Sequence, residues 1–306
     1  MSIVVIGATF VDIKGFPEDV YVPTGRNVGR VEYLHGGVAR NVVEDIANVE
    51  LQPIYLGIVD DTPMGRDVVS KLNKHRVDTQ YVQTVPGGMG TWLAVFDNNG
   101  DVAGSISCRP NLLPILDLLN EKGNEIFQKA DSVVLEVDMD KDLVKKILEL
   151  AEAHRVKVFG VVSNMSIAAK RRDFLKRFDC FICNQQEAGL LFVDDYSQFT
   201  PEQMRDVLRQ KVLGAQIPSM VVTMGAQGAV YADSQGDCGI CPARNVIVKD
   251  TTGAGDAFCA GVAIGMTYGK TLAQAIDIGS ILAASVITSS ENVCPRFLPG
   301  ELGIEL

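Results

Sequence analysis

At 306 residues, with 47% hydrophobic and 22% charged side chains, the chain has material for one large α/β domain or two ordinary ones, and lacks the composition of a disordered protein. Its 28 basic and 38 acidic side chains give a net charge of -10, and no basic run stands ready to neutralise a nucleic-acid backbone. That argues against a nucleic-acid partner but leaves room for a small anion, which backbone N–H groups at a helix start hold without any net positive charge.

The chain opens on MSIVVIGATFVDIKGF, an apolar run with Asp12 directly after it. The segment has no basic leader, and no apolar run approaches the length of a membrane span, so a first strand and a cytoplasmic protein are expected. A Gly- and Pro-containing stretch then ends in the strand-like VGRVEYL before Gly36. Helical ARNVVEDIANV, strand-like PIYLGIV and helical MGRDVVSKLNKH follow. From Gly90 the sequence TWLAVFDNNGDVAGSIS has two β-rich arms around Asn98-Asn99-Gly100, and Asn-Gly is the strongest short hairpin signal. These two excursions, about 13–35 and 88–108, are expected to form a small extra sheet that serves as a lid.

Further on, SVVLEV, helical KDLVKKILELAEAH, KVFGVV, FDCFIC, helical TPEQMRDVLRQKV and SMVVTMG alternate strand with helix. Such alternation implies βαβ units around a mostly parallel sheet, an α/β fold. No linker or repeat interrupts it, so residues 1–306 are expected to form a single domain. Seven cysteines leave one unpaired in any full disulfide scheme, which suits a reducing compartment. Cys180 and Cys183 lie three apart in a predicted strand, where they point to opposite faces and cannot share a metal.

Chemistry concentrates in NVIVKDTTGAGDAFCAGVAIGM, residues 245–266. A strand is expected through Val246–Val248, a turn from Asp250 to Gly255, and a helix from near Asp256. The glycines Gly253 and Gly255 let the backbone approach a ligand while N–H groups at the helix start point at it. Asp256, in the first turn, is placed to accept a hydroxyl proton while those N–H groups stabilise the group being transferred, which is the pairing phosphoryl transfer needs. Alone, the same residue reads better as a helix-start acid favoured by the helix dipole. Rival motifs fail on spacing: GxxxxGK[ST] is absent at this turn, and Phe258 stands where a dinucleotide fingerprint needs its last glycine.

DTTGAGDAF followed by a small-residue helix resembles the C-terminal signature of the ribokinase-like, PfkB-type carbohydrate kinases. Gly36-Gly37-Val38-Ala39-Arg40-Asn41 resembles that family's Gly-Gly-x-x-x-Asn turn, Asn184-Gln185-Gln186-Glu187 its Asn-x-x-Glu motif, and VVTMGAQGAVY its nucleotide-receiving strand and turn. The resemblance implies a three-layer fold, with Asp256 activating the acceptor hydroxyl and Gly253, Ala254 and Gly255 supplying an anion hole. It assigns Asp12, Gly36, Gly37, Asn41 and Asp138 to the sugar, and Asn184, Thr223, Gly225 and Gly228 to ATP. Glu187 would organise magnesium through water, and Asp250, with the loop near Ser285 to Cys294, a monovalent cation such as potassium. A homodimer through the lid is also implied. GRVEYLHGGVARNVVEDIA and SSENVCP are most similar to pseudouridine kinases, so pseudouridine is the expected acceptor. Ribose, fructose or another nucleoside are alternatives, and a catalytically silent sensor is the competing class. One departure is VVSNMS, which stands where many relatives carry Asp-Pro.

Overall fold

The computed structural model describes all 306 residues. The α/β alternation is realised as β1 Ile3–Ile6, β2 Phe10–Pro17, β3 Gly29–Gly36, α1 Val38–Asn48, β4 Ile54–Leu56, β5 Ile58–Val59, α2 Pro63–Lys74, β6 Gln83–Thr84, β7 Gly90–Phe96 and β8 Val102–Cys108. The second half adds α3 Leu113–Gln128, β9 Ser132–Glu136, α4 Lys141–His154, β10 Lys157–Val161, α5 Met165–Ala168, β11 Cys180–Asn184, α6 Gln185–Phe192 and α7 Pro201–Ala215. It closes with β12 Ser219–Thr223, β13 Ala229–Asp233, β14 Cys238–Cys241, α8 Ala254–Thr267 and α9 Leu272–Ile287.

Eight strands pair in the order β14-β13-β12-β11-β10-β9-β1-β4, parallel throughout except at β13, which runs antiparallel to both neighbours. Strand residues alternate between two cores: Val4 and Ile6 face the side covered by α3, α4 and α7, whereas Ile3 and Val5 face α1, α8 and α9. Cys183 belongs to the first core and Cys180 to the second, so the sheet itself separates them. No helix is long and apolar enough to cross a membrane.

A second sheet, β3-β2-β7-β8, forms the lid. Its strands begin at Phe10, ahead of the boundary the sequence suggests, so Asp12 is itself a lid residue. Pairing fixes the faces: Asp12, Leu34, Trp92 and Ser107 share one row, and Lys14, Glu32, Ala94 and Ser105 the next. Asp12, Lys14 and Ala94 of these rows are buried on the side of the main domain, while Ser105 and Ser107, on the edge strand β8, are exposed. The opposite face carries Ile13, Tyr33, Leu93 and Ile106, of which the last three are exposed. The β7–β8 connection runs through Asp97–Asp101 with Gly100 at φ 85°, and the Asp97 side chain accepts from the Asn99 and Asp101 amides.

One expectation fails. Residues 242–250 form no strand: Pro242 has no N–H with which to extend the β14 edge, and Ile247 and Val248 are left exposed without a partner strand. The segment is held instead by Lys249 N donating to Ile287 O at 2.7 Å, at the end of α9.

Candidate active site

Strand ends and helix starts converge on one crevice, where open α/β sheets bind ligands. The turn before α8 is built on Gly253, the helix N-cap, at φ 81°. A Cβ there would lie 2.0 Å from Asn292 O, so only glycine permits this approach of the late loop. At Gly255 the same added atom would meet nothing within 4 Å, because the helix start opens into the crevice. Asp256 follows, in the first turn of α8.

Asn41, on α1, donates from Nδ2 to Asp256 Oδ2 at 2.6 Å. Its amide cannot flip, because Arg40 Nη2 donates to Asn41 Oδ1. Arg40 is wholly buried; it is ion-paired with Glu44 at 2.5 Å and donates to His35 O and Gly36 O, while Lys71 meets Glu44 from the other side at 3.0 Å. Burial pushes the Asp256 carboxyl up to about 7, opposed by the Asn41 hydrogen bond and the Arg40 charge and assisted by the charges of Asp12 and Glu187. Asp12 is 8% exposed and also raised by burial, against the pull of Arg40 and Lys14. The glycine pair is required locally: a Cβ on Gly36 would come 2.3 Å from Asp12 Oδ1, and Gly37, at φ 97°, would bring one 2.5 Å from Ala8 O.

Asn184 and Glu187 form a reciprocal cap on α6. The Glu187 amide donates to Asn184 Oδ1 and the Asn184 amide to Glu187 Oε2, each at 2.8 Å. Glu187 Oε1 has no protein partner, and its carboxyl is raised by burial and by Asp138 despite the Asn184 amide. Asp138 is 3% exposed with both oxygens engaged: Oδ1 accepts from Ser163 N at 2.9 Å, and Oδ2 from Ser163 Oγ at 2.8 Å and Arg109 Nη2 at 2.6 Å. Ser163 belongs to VVSNMS, so that departure supplies the anchor of Asp138. In this geometry Asp138 holds Arg109 and Ser163, with acceptor capacity left on Oδ1.

Thr223, Gly225 and Gly228 line a cavity of about 630 Å³ that Ala254 and Gly255 reach at one end. Arg244, Val246, Val248, Phe258, Ala283 and Ile287 contribute its other walls, so the segment read as a strand is a cavity wall. Asn184 is not part of this lining. Asp250 accepts from Thr252 N at 2.8 Å through Oδ1, and its Oδ2 lies 3.7 Å from Lys14 Nζ. Burial would raise this carboxyl, but the Thr252 amide and hydroxyl and the Lys14 charge outweigh it and hold it low.

Sequence reasoning passed over four residues of this crevice. Lys14 and Arg40 stand inside segments already singled out, and Lys14 was legible from its spacing to Asp12, since residues two apart on a strand share a face. Arg109 had no local signal. Glu136 closes β9 beneath the Gly36–Asn41 turn, accepting from Ala39 N at 3.0 Å and Ala8 N at 3.2 Å, and burial pushes its carboxyl up to about 8.

The profile of the pfkB family carbohydrate kinases matches residues 1–294. The guanosine-inosine kinase of Exiguobacterium acetylicum is 32% identical over 294 residues, covering 95% of this chain and 96% of that one. The pseudouridine kinase of Escherichia coli K12 is 25% identical over 277 residues, 90% of this chain and 86% of that one. In fold, the ribokinase of Arabidopsis thaliana solved with ribose and ATP superposes with a TM-score of 0.85 over 98% of this chain and 97% of that one, at 19% identity. With family match, full-length relatives and a crevice of this construction together, the chain belongs to the pfkB family of carbohydrate kinases and is a sugar or nucleoside kinase, a phosphotransferase with an alcohol group as acceptor.

Proposed function

We propose that this kinase transfers the γ-phosphoryl group of ATP to the primary hydroxyl of a nucleoside's ribose. Trp92 is the observation that carries the choice of a nucleoside over a free sugar. It is the only tryptophan of the chain, half-buried, and adjacent to Asp12 on the lid face that looks onto the crevice. A broad aromatic surface beside the residue assigned to the ribose diol suits a stacked base, where a free pentose would leave it uncovered. The relatives narrow the class: greater identity to the guanosine-inosine kinase favours a purine nucleoside. Pseudouridine is the second reading, carried by the E. coli relative and by the Gly-Gly-Val-x-Arg-Asn opening.

In this reading Asp12, Gly37 and Asn41 hold the sugar, and Asp256 takes the proton of the attacking hydroxyl. The amides at the Gly253–Gly255 turn receive the phosphoryl charge, and ATP lies in the cavity of Thr223, Gly225 and Gly228. No group of three or more His, Cys, Asp and Glu side chains forms a metal cage, whereas the unpartnered Glu187 Oε1 suits a hydrated magnesium ion carried by ATP. Such an ion would neutralise phosphate charge. A potassium ion beside Asp250 would rest on backbone carbonyls, since Lys14 already faces that carboxylate. The exposed row Tyr33, Leu93 and Ile106 on the outer lid supports a homodimer through the lid in the cytoplasm, which Ile106→Glu should convert to monomer in light scattering.

The deciding experiment is competition among guanosine, inosine, adenosine, pseudouridine, uridine, ribose and fructose at equal concentration, with products resolved by mass. A purine nucleoside should lead, and Trp92 fluorescence should quench as it binds. Preference for fructose or free ribose overturns the nucleoside reading. Absence of transfer to any acceptor returns the silent sensor.

A further inference from the structure

Lys14 is 4% exposed, yet its ammonium is poorly provided for. Nζ donates to Thr252 Oγ1 at 3.3 Å and lies 3.7 Å from Asp250 Oδ2, beyond hydrogen-bond reach. An ammonium has three donors, and burial penalises its charge unless anions or good acceptors meet it. One long hydroxyl contact and two carboxylates, Asp250 and Asp12, neither within hydrogen-bond reach, leave that requirement unfilled. Thr252 directly precedes Gly253, so the ammonium stands beside the turn that opens into the crevice at Gly255.

We propose that Lys14 is a catalytic residue of the closed lid, its ammonium binding the phosphoryl group as that group passes from ATP to the acceptor. The inference rests on the site assigned above. In the reaction the acceptor oxygen forms a bond to the γ-phosphorus as the bond from that phosphorus to the β-phosphate oxygen breaks. ADP leaves with the electron pair, and the hydroxyl proton goes to Asp256. Negative charge on the transferring oxygens then lies between the amides of the α8 start and Lys14, and it supplies the anion the ammonium lacks. Lys14 comes from the lid and Thr252 from the main domain, so an open lid withdraws the charge from the site. Transfer to water, which needs no closed lid, therefore proceeds without it.

The test uses full-length Lys14→Met, Lys14→Arg and Lys14→Ala with ATP and the best acceptor. Lys14→Met should lower kcat by about 10²–10³-fold, the range for loss of one charge-stabilising donor, with KM for ATP and acceptor within about threefold. Lys14→Arg should recover part of the loss, and ethylammonium should restore turnover to Lys14→Ala in a saturable way. A latch that only holds the lid shut predicts otherwise: acceptor KM would rise, Asp250→Asn would reproduce the defect, and the free amine would restore nothing. That pattern, or a kcat within about threefold of wild type, overturns the proposal. If the methionine variant does not fold, acylation of wild type read by mass spectrometry decides. ADP with aluminium fluoride and acceptor should protect Lys14 where ADP alone does not, and equal labelling overturns the idea. Wild-type transfer and its loss in Asp256→Asn are measured alongside. If both hold and Lys14→Met is silent, Lys14 alone is misassigned; if either fails, the fault lies in the site.

Discussion

The raised Asp256 carboxyl makes the pH dependence of the reaction a direct test of the assigned base. With its ordinary value of 3.8 moved to about 7, the residue is half ionised near neutrality. The ionised fraction rises from about a tenth at pH 6 to about nine-tenths at pH 8, so kcat/KM should climb about tenfold over that interval, with the limb near 7. Asn41→Ala removes the 2.6 Å hydrogen bond that favours the charged form, so the limb should move to higher pH, independent of any loss of acceptor binding. Asp256→Asn should abolish the limb and lower kcat by at least about 10²-fold. Initial rates at subsaturating acceptor, from pH 5.5 to 9, read all three. The sign of the stability effect follows from the same shift. The folded state holds this proton more tightly than the unfolded state, so burial of Asp256 costs nothing below pH 3.8, and the cost grows as pH rises toward 7. Asp256→Asn should therefore raise Tm more at pH 8 than at pH 4.5. A flat rate profile across pH 6–8 would refute the assignment of Asp256 as the base.

The two glycines of the anion turn should fail differently. Gly253→Ala forces a Cβ toward Asn292 O from a left-handed backbone and should lower Tm by several degrees. Gly255→Ala meets no atom, so Tm should hold while kcat falls, because the new methyl occupies crevice space. Paired calorimetry and kinetics separate the cases, and equal effects on Tm would contradict the geometry. Glu187→Gln should raise the magnesium concentration needed for half-maximal rate, and excess chelator should abolish wild-type transfer. A magnesium titration unchanged in the variant would remove Glu187 from the metal's surroundings.

The layered fold was legible because each of its elements carries its own period. Val4 and Ile6 against Ile3 and Val5 announce a strand buried on both faces, and helical periodicity over 141–154 matches the apolar face of α4. The segment 242–250 misled for the opposite reason. Val246, Ile247 and Val248 have high β-propensity, but propensity yields to the availability of a partner, and none lies beside Pro242 and the β14 edge. The candidate site was legible where one stretch of chain builds it, as at the Gly253–Asp256 turn and the Gly36–Asn41 turn. It was not legible where distant segments meet. Asp138 reads as a free carboxylate until Arg109 and Ser163 are seen on its two oxygens. Lys14 lies between these cases. Its parity with Asp12 fixes its face from sequence alone, yet only the folding of the lid over Thr252 gives that face something to act upon. Parity sets which lid side chains share the face of Asp12: Lys14 and Trp92 do, while Ile13, Tyr33 and Leu93 lie on the other. A one-residue register slip of β2 would exchange the two sets, so the proposed roles of Asp12, Lys14 and Trp92 depend on the pairing of β2 with β3 and β7 as much as that of Asp256 depends on its turn.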